Sequence, residues 1–486
     1  MSRINTNVAS LIAQNNLARS NNDLNVSLQR LSTGLAINRG ADNPAGLIVS
    51  ERLRSEIAGI SQAIDNVERA QNVISTTEAA LQEISALLVS VKGLTIEAAN
   101  TGAFSKEEIE ANQLQIDSAI ESITRISNTA SFAGLKLLNG SLDYLISGVN
   151  PTNIKDVKVF GANFGTNSTI PVTVEVINSA EVGSLFISGN TAGSVGALLS
   201  SVTFEVQGTK GVQVFSFVSG TALSAVAYAV NSVADATGVE AALATPGNQT
   251  SGLVLTSQDY GSNAFVSVRK IAGGTFFQTF DSQGGGAINR DAGGDVLALI
   301  NGNLALGDGL EISLRSSTLN VQMGLSETAG TTLAAHAFTV TGGGALYQIG
   351  PSVNTSQQVG FGIQSVAASR LGDETLGFLN SVATGGPNSL TAGNAGDAAQ
   401  IIDLAIDQVS VMRGRIGAFE RNTLQTAARS QQIALENLTA SESAIRDTDF
   451  AFETARLTRA QILVNAGTST LAIANSTAQS VLALLQ

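Results

Sequence analysis

The chain has 486 residues, of which 43% are hydrophobic and 13% charged, with a net charge of −13 and no cysteine or tryptophan. That length suggests several domains, and the apolar share is enough for packed cores. No segment is basic (net −3 over 1–140, −8 over 141–396, −2 over 397–486), so the footprint of nucleic-acid binding is missing, no uninterrupted apolar run nears a membrane span, and disulfide and thiol chemistry are excluded.

Helix breakers divide the chain. Five of six prolines (Pro151, Pro171, Pro246, Pro351, Pro387) and 40 of 49 glycines lie between residues 131 and 396. Proline and glycine interrupt helices, so the ends can form long helices and the middle cannot. The start, Met1-Ser-Arg-Ile-Asn-Thr-Asn-Val8, has no apolar stretch and no cleavage pattern, so no cleaved secretory signal is expected.

Taken in order, Ile4, Val8, Leu11, Leu24, Leu28, Leu31 and Leu35 mark an apolar seam in the first 40 residues. Asn43-Pro44 then reads as a helix start, with Asn as cap and Pro in the first turn. The helix that follows carries 3-4 spacing through Ile57, Ile60, Ile64, Val67, Gln71, Ile74, Glu78, Leu81, Ser85, Leu88, Val91, Thr95 and Ala98, and Thr101-Gly102 ends it. Ser105-Lys-Glu-Glu108 is a capping box that opens another helix, to about residue 128. Ser131 to Leu145 reads as a short hairpin turning at Asn139-Gly140.

The middle reads as strands: Val202–Val206, Val212–Val218, Leu253–Thr256 and Phe265–Val268, with glycine-rich breaks at 273–274, 284–286 and 342–344. One helix is expected there, from Thr221 to Thr237, closed by Gly238. The far end returns to heptads. Ile402, Ala405, Val409, Met412, Ile416, Phe419, Thr423, Thr426, Ser430 and Ile433 form one stretch, and Val464, Gly467, Leu471, Ala474, Ala478, Val481 and Leu485 a second. Sustained heptads point to helices wrapped on helices. The fold class is therefore α+β: a long antiparallel coiled-coil frame made by the paired termini, with a β-rich region inserted.

The two ends are too poor in large apolar side chains to offset the backbone entropy of ordering alone. They are expected to find each other or copies of themselves, as disordered tails in the monomer and ordered helices in an assembly. Ile4, Val8, Leu11, Leu24, Leu28, Leu31, Leu35, Val464, Leu471, Ala474, Ala478, Val481 and Leu485 are the expected polymerisation seam. Ile57, Ile60, Ile64, Val67, Ile74, Leu81, Leu88, Val91, Ile402, Val409, Met412, Ile416, Phe419 and Ile433 are the expected coiled-coil core within one chain.

Chemical sites are sparse. His336 is the only histidine and sits in the apolar run Ala334-Ala-His-Ala-Phe338, so zinc ligation has too few donors. Asp447-Thr-Asp449 fits an acidic helix start better than an acid–base pair. Asp291-Ala-Gly-Gly-Asp295 lacks the remaining ligands of a calcium loop and reads as a turn. There is no phosphate-binding loop and no nucleophile elbow. Asn167-Ser-Thr169 and Asn248-Gln-Thr250 match the short N-glycosylation pattern. No catalytic residue, cofactor or metal is expected, and an enzyme is not indicated.

Several terminal motifs resemble bacterial flagellin: Ile4-Asn-Thr-Asn-Val8, Leu28-Gln-Arg-Leu-Ser-Thr-Gly-Leu-Ala-Ile37 and Ala41-Asp-Asn-Pro-Ala-Gly-Leu47 at one end. At the other are Arg413-Gly-Arg-Ile-Gly-Ala-Phe419, Glu442-Ser-Ala-Ile-Arg-Asp-Thr-Asp-Phe450, Gln461-Ile-Leu463 and Val481-Leu-Ala-Leu-Leu485. The resemblance covers about 1–145 and, more loosely before Gly396, about 340–486. The segment 202–310, with its paired strands, Tyr260-Gly-Ser262 and Ile300-Asn-Gly302, is similar to a small insertion module found in many flagellins.

The resemblance implies an inner core of terminal helices (1–43 with 441–486), a helical rod with a short β-hairpin (44–146 with 397–440) and a variable β-rich outer region (147–396) of one or two domains. It implies a structural subunit of the extracellular flagellar filament, serving motility and exported unfolded by the flagellar type III apparatus. The expected partners are many copies of itself, an export chaperone at about Ser443–Gln486, and the filament cap and hook-junction proteins, with no nucleic acid and no membrane. A Toll-like innate receptor reads many flagellins at an Arg and a Glu of the rod helix. Ser90 and Gly93 stand there here, which implies weak recognition. The readings that compete are a hook–filament junction protein and a filament-displayed adhesin.

Overall fold

The computed structural model describes residues 6–165, 167–188, 196–275, 277–316 and 318–483, with side chains described to residue 476. Among these, nine α-helices occur. The first three are α1 (Val8–Thr33), α2 (Pro44–Ala98) and α3 (Lys106–Thr129). The middle contributes α4 (Leu223–Asn231), α5 (Ala234–Thr237) and α6 (Glu327–Gly330). The last three are α7 (Ala395–Phe419), α8 (Gln425–Arg446) and α9 (Phe450–Ala483), with a π-helical turn at Glu420–Leu424 between α7 and α8. The chain divides into two compact units: 1–72 with 348–358 and 418–486, and 73–347 with 359–417.

In the first unit local chemistry sets the helix ends. Asn7 caps α1 by accepting from the Ser10 N–H at 3.0 Å, and Gly34, at φ 74°, closes it with its N–H on Arg30 O. Only a residue tolerant of left-handed backbone fits that closure. Asn43 Oδ1 accepts from the Gly46 N–H at 2.9 Å, ahead of the α2 start at Pro44. The two interhelix breaks are joined to each other. Leu35 and Asp447 form an antiparallel bridge, the Ala36 N–H donates to Arg446 O at 2.7 Å, and the Thr448 N–H donates to Gly34 O at 2.8 Å. Beside this clasp Ser50 donates to Glu442, and Arg446 lies 3.3 Å from Glu51.

The buried seam of α2 is Ile60, Ala63, Val67, Ala70, Ile74, Thr77, Leu81, Ile84, Leu88, Val91, Thr95 and Ala98, an unbroken 3-4 series, with Ser50 and Val73 also buried beside it. Up to Ser85 the expected seam shares one of its two positions per heptad and sets the other one residue late; from Leu88 to Ala98 the two coincide. Gln71, Glu78 and Ser85 are therefore not inside the seam; Ala70, Thr77 and Ile84 are, and Ile57 and Ile64 are half-buried flanks. One 18-residue window of α2 meets the length and hydropathy of a membrane span. Its buried seam, at 0–6% exposure from Val73 to Val91, is occupied by protein contacts. In the second unit α7 meets α2 through ion pairs: Arg413 with Glu78 at 2.9 Å, and Lys92 with Asp403.

The capping box opens α3 as the spacing requires: Ser105 accepts from the Glu108 N–H, and the Glu108 carboxylate accepts from the Ser105 N–H. Buried Gln113 then binds the loop after the β region, donating to Val382 O and accepting from the Leu390 N–H at 2.8 Å. The hairpin after α3 pairs Ser131–Phe132 with Leu135–Lys136. Its turn is Ala133-Gly134, both at positive φ, and not Asn139-Gly140. Leu137 and Leu138 are fully buried, which ends the pairing early.

The β region of the second unit is a sandwich within a sandwich. One five-stranded sheet orders Asn303–Leu304, Leu297–Ile300, Ile170–Asn178, Ala335–Gly343 and Tyr144–Ser147. It packs on a four-stranded sheet of Leu306–Asp308, Glu311–Arg315, Leu319–Leu325 and Ile154–Ala162, with Val172, Val174, Ile300, Ile312, Val321 and Phe338 in the core. Between strands 170–178 and 297–300 a second module is inserted. Its sheets are Thr279–Phe280, Ser184–Ile187, Asn248–Ser257 and Val239–Thr245, and Arg290–Ala292, Phe265–Gly273, Val202–Gln207 and Val212–Phe217. Phe204 centres its core and stacks on Phe277 at 4.8 Å. The inserted module thus takes in Ser184–Ile187, and residues 297–310 leave it: Ala298, Leu299 and Ile300 pair with Val176, Glu175 and Val174 of the outer sandwich. The helix expected over 221–237 is broken at Ser232-Val233 because Asn231 is captured by a strand, donating to Ala241 O and accepting from the Ala241 N–H at 2.7 Å.

Asp143, at the foot of the first strand of the outer sandwich, accepts from the Tyr144 N–H at 2.8 Å. Burial pushes its carboxyl up to about 6, against smaller opposing effects of that hydrogen bond and of Arg370. The folded state therefore holds its proton more tightly than the unfolded chain: the group costs nothing while both states are protonated, begins to cost stability as pH rises through the unfolded value of 3.8, and costs its full amount above about 6. Asp143→Asn is expected to raise stability at neutral pH by about 1–3 kcal/mol, a gain that shrinks toward zero near about pH 4. Urea unfolding of the full chain at several pH values measures it; a pH-independent difference would contradict the assignment.

Candidate self-assembly surface

The pairing of α1 with α9 brings together residues more than 400 positions apart. Along α1 the inward positions are Asn7, Ser10, Ala13, Leu17, Ser20, Leu24, Ser27 and Leu31; along α9 they are Glu453, Leu457, Ala460, Val464, Gly467, Leu471 and Ala474. Both series keep heptad spacing. Most of these side chains are small or polar. The Asn7 amide donates to Ala474 O at 2.8 Å, and Ser10 Oγ donates to Asn475 Oδ1 at 2.9 Å. Glu453 is 4% exposed, with Arg30 at 3.7 Å and Arg456 at 3.9 Å. A methyl on Gly467 would stand 3.2 Å from Leu17 Cδ1, so the helices approach closely there.

A second set of large apolar side chains points the other way. Val8, Leu11, Ile12 and Leu28 on α1, and Phe450, Phe452, Ile462, Leu463 and Ile473 on α9, are each 46–65% exposed. A helix pair whose seam is mostly small or polar residues and whose outer face carries these large ones leaves an apolar surface that a monomer does not need.

Of the expected polymerisation seam, Leu24, Leu31, Val464, Leu471 and Ala474 therefore lie between α1 and α9, and Leu35 lies in the clasp. Val8, Leu11 and Leu28 lie on the outer face. Ile4 and Leu485 fall outside the described residues, as do the side chains of Ala478 and Val481. The spacing did not single out Ile12, Phe450, Phe452, Ile462 and Ile473. Their signal is the 11-residue interval from Phe452 to Leu463 and from Ile462 to Ile473, three turns of helix, which repeats one face.

Of the expected intrachain core, Ile60, Val67, Ile74, Leu81, Leu88, Val91, Ile402, Val409, Ile416 and Phe419 are buried, and Ile57, Ile64 and Met412 are half-buried. Ile433 is not a core residue, at 61% exposure. The π turn is the cause. In it the Gln425 N–H reaches back five residues to Glu420 O, so one extra residue enters the helix. The inward stripe of α8 moves one position later, to Leu424, Ala427, Gln431 and Ala434, and Ile433 rotates outward.

The acidic residues weighed as sites serve the backbone. Asp449 Oδ1 accepts from the Ala451 and Phe452 N–H groups at the start of α9, and Asp447 accepts from Ser443 Oγ. Asp295 takes the Ser262 and Gly309 N–H groups, and these bonds hold its carboxylate below the usual range. Among the described residues no group of three or more acidic or histidine side chains is placed to hold a metal ion.

Comparison with known proteins bears on the same segments. The family described as bacterial flagellin N-terminal helical region matches residues 4–143, and the bacterial flagellin C-terminal helical region matches 399–485. The flagellin hook IN motif matches 201–259, within the inserted module. A flagellin of Salmonella rubislaw is 28% identical over 513 aligned residues, covering 99% of each chain. A B-type flagellin of Pseudomonas aeruginosa is 29% identical over 522 aligned residues, again covering 99% of each. Among solved structures, flagellar hook associated protein-3 of Legionella pneumophila superposes with a TM-score of 0.32 at 12% identity, over 81% of this chain and 98% of that one. With both terminal regions matched in order and relatives aligned along its whole length, the chain belongs to the bacterial flagellin family.

Proposed function

We propose that this chain is the structural subunit of an extracellular bacterial flagellar filament, and that it polymerises through the outward face of its paired end helices. The observation that carries the reading is the inverted burial of α1 and α9: Ser10, Ala13 and Ala460 inside, Leu11, Ile12 and Ile462 outside. Apolar area on that face is removed from water only when copies stack, at roughly 25 cal/mol per Å². The family to which the chain belongs is structural, and the work of the molecule is assembly.

Finer expectations follow from membership of that family. The subunit leaves the cell unfolded through the flagellar type III channel, and an export chaperone holds the segment from about Ser443 before then. The filament cap and the hook-junction proteins are its neighbours at the two ends of the polymer. Recognition by a Toll-like receptor is weak, because Ser90 and Gly93 carry no charge and cannot replace the charged, hydrogen-bonding Arg that anchors such an interface. A receptor reporter assay giving ordinary flagellin potency would overturn that last point.

Polymerisation is tested by seeding purified full-length protein with sheared filament and imaging the product by electron microscopy. Leu11→Asp and Ile462→Asp are expected to abolish elongation while leaving the folded β region intact. Gly467→Ala is expected to elongate normally, since its one tight contact is with the flexible end of Leu17, the Leu17 Cβ and Cα lying at ordinary distances of 3.6 and 3.8 Å, and helix propensity improves by about 1 kcal/mol. Gly467→Leu is expected to wedge α1 from α9 and stop elongation. Normal filaments from the two aspartate variants would sink the proposal.

A further inference from the structure

The outer sandwich and α7 enclose a cleft of about 220 Å³ in the second unit. Two guanidinium groups face it, Arg315 from a strand end and Arg415 from α7. Arg415 is held in place: its guanidinium carbon stands 3.3 Å above the Phe160 ring centroid, and its Nη2 donates to Gln322 Oε1 at 2.7 Å. Its neighbour in sequence, Arg413, has a carboxylate partner in Glu78. Among the described residues neither Arg315 nor Arg415 has a carboxylate within ion-pair distance. For Arg315 this is unexpected, since acidic residues outnumber basic ones 16 to 8 over 141–396.

The two acids at the cleft are already engaged. Glu311 accepts from the Gln322 amide, and Asp308 accepts from the Asn263 amide at 3.3 Å. Burial, and after it the charge of Arg315, pulls the Arg415 guanidinium below its usual value, with Glu311 acting the other way. Two like charges therefore line one cleft, close enough to act on each other, with one of them fixed on an aromatic face. Planar guanidinium forks bind oxyanions through paired, charge-assisted hydrogen bonds.

We propose that the Arg315–Arg415 cleft is a binding site for an oxyanion, a carboxylate or phosphate group. Such a group bridges the two guanidiniums and relieves their mutual repulsion. Glu311 is its built-in competitor. The oxyanion is either a free small anion or an acidic side chain of a neighbouring copy, and the assembled state separates the two.

The test uses depolymerised full-length protein at neutral pH, titrated calorimetrically with inorganic phosphate against a chloride control of equal ionic strength. Saturable binding of phosphate over chloride is expected. Arg315→Gln, an exposed position, is expected to weaken it about tenfold or more, and Glu311→Gln to tighten it a few-fold. Circular dichroism checks that both variants fold. Repeating the titration on seeded filaments assigns the source: undiminished binding identifies a free anion, and lost binding together with poorer elongation by Arg315→Gln identifies a neighbour's carboxylate. Heats that do not saturate, or that are the same in wild type and Arg315→Gln, would overturn the proposal.

Discussion

Everything in the end helices depends on how closely α1 and α9 approach. A seam of Ser10, Ala13, Ser27, Ala460 and Gly467 lets two backbones come near enough for Asn7 to reach the carbonyl of Ala474. Leucine at those positions would push the helices apart and turn the outward face inward. The small seam therefore does two things with one set of residues: it fixes register through directional hydrogen bonds, and it leaves Leu11, Ile12, Phe452, Ile462 and the other large outward side chains without a partner helix in the pair. The clasp between Leu35 and Asp447 completes the constraint, since it fixes where both helices begin relative to each other.

Much of this was legible in the sequence, and the pattern of success is physical. Capping chemistry is local, so Asn43-Pro44, Ser105 with Glu108, and Gly238 marked real helix boundaries. The α9 frame was legible because Val464, Gly467, Leu471 and Ala474 keep strict spacing over a stretch with no competing series. In α2 two frames one residue apart competed. Ile57 and Ile64 drew the seam toward themselves, while Ala63, Ala70 and Thr77, which carry little hydrophobic signal, hold the true inner positions. In α1 the same weighting put Val8, Leu11 and Leu28 in one seam with Leu24 and Leu31, whereas the structure sets the first three on the outer face and the other two against α9.

The π turn was illegible for a different reason. Glu420-Arg-Asn-Thr-Leu424 contains no glycine or proline and continues a helical pattern, so nothing local announces an inserted residue. Its effect is felt only downstream, where Ile433 turns outward. The extent of the inserted module was also hidden: Leu297–Ile300 reads like any strand, and only its pairing with 174–178 shows to which sheet it belongs. Non-local pairing carries no short-range signature.

That pairing has an architectural consequence. The chain leaves the outer sandwich near Asn178 and returns at Leu297, its hydrogen-bonded neighbour, with Glu181 and Gly294 bridged just beyond. The excursion of over a hundred residues thus begins and ends about 5 Å apart. Such a doorway accepts a domain of any size whose own termini lie side by side, or a short turn in place of one. The inserted module can accordingly be exchanged, enlarged or lost without breaking the pairing of the sheet that hosts it.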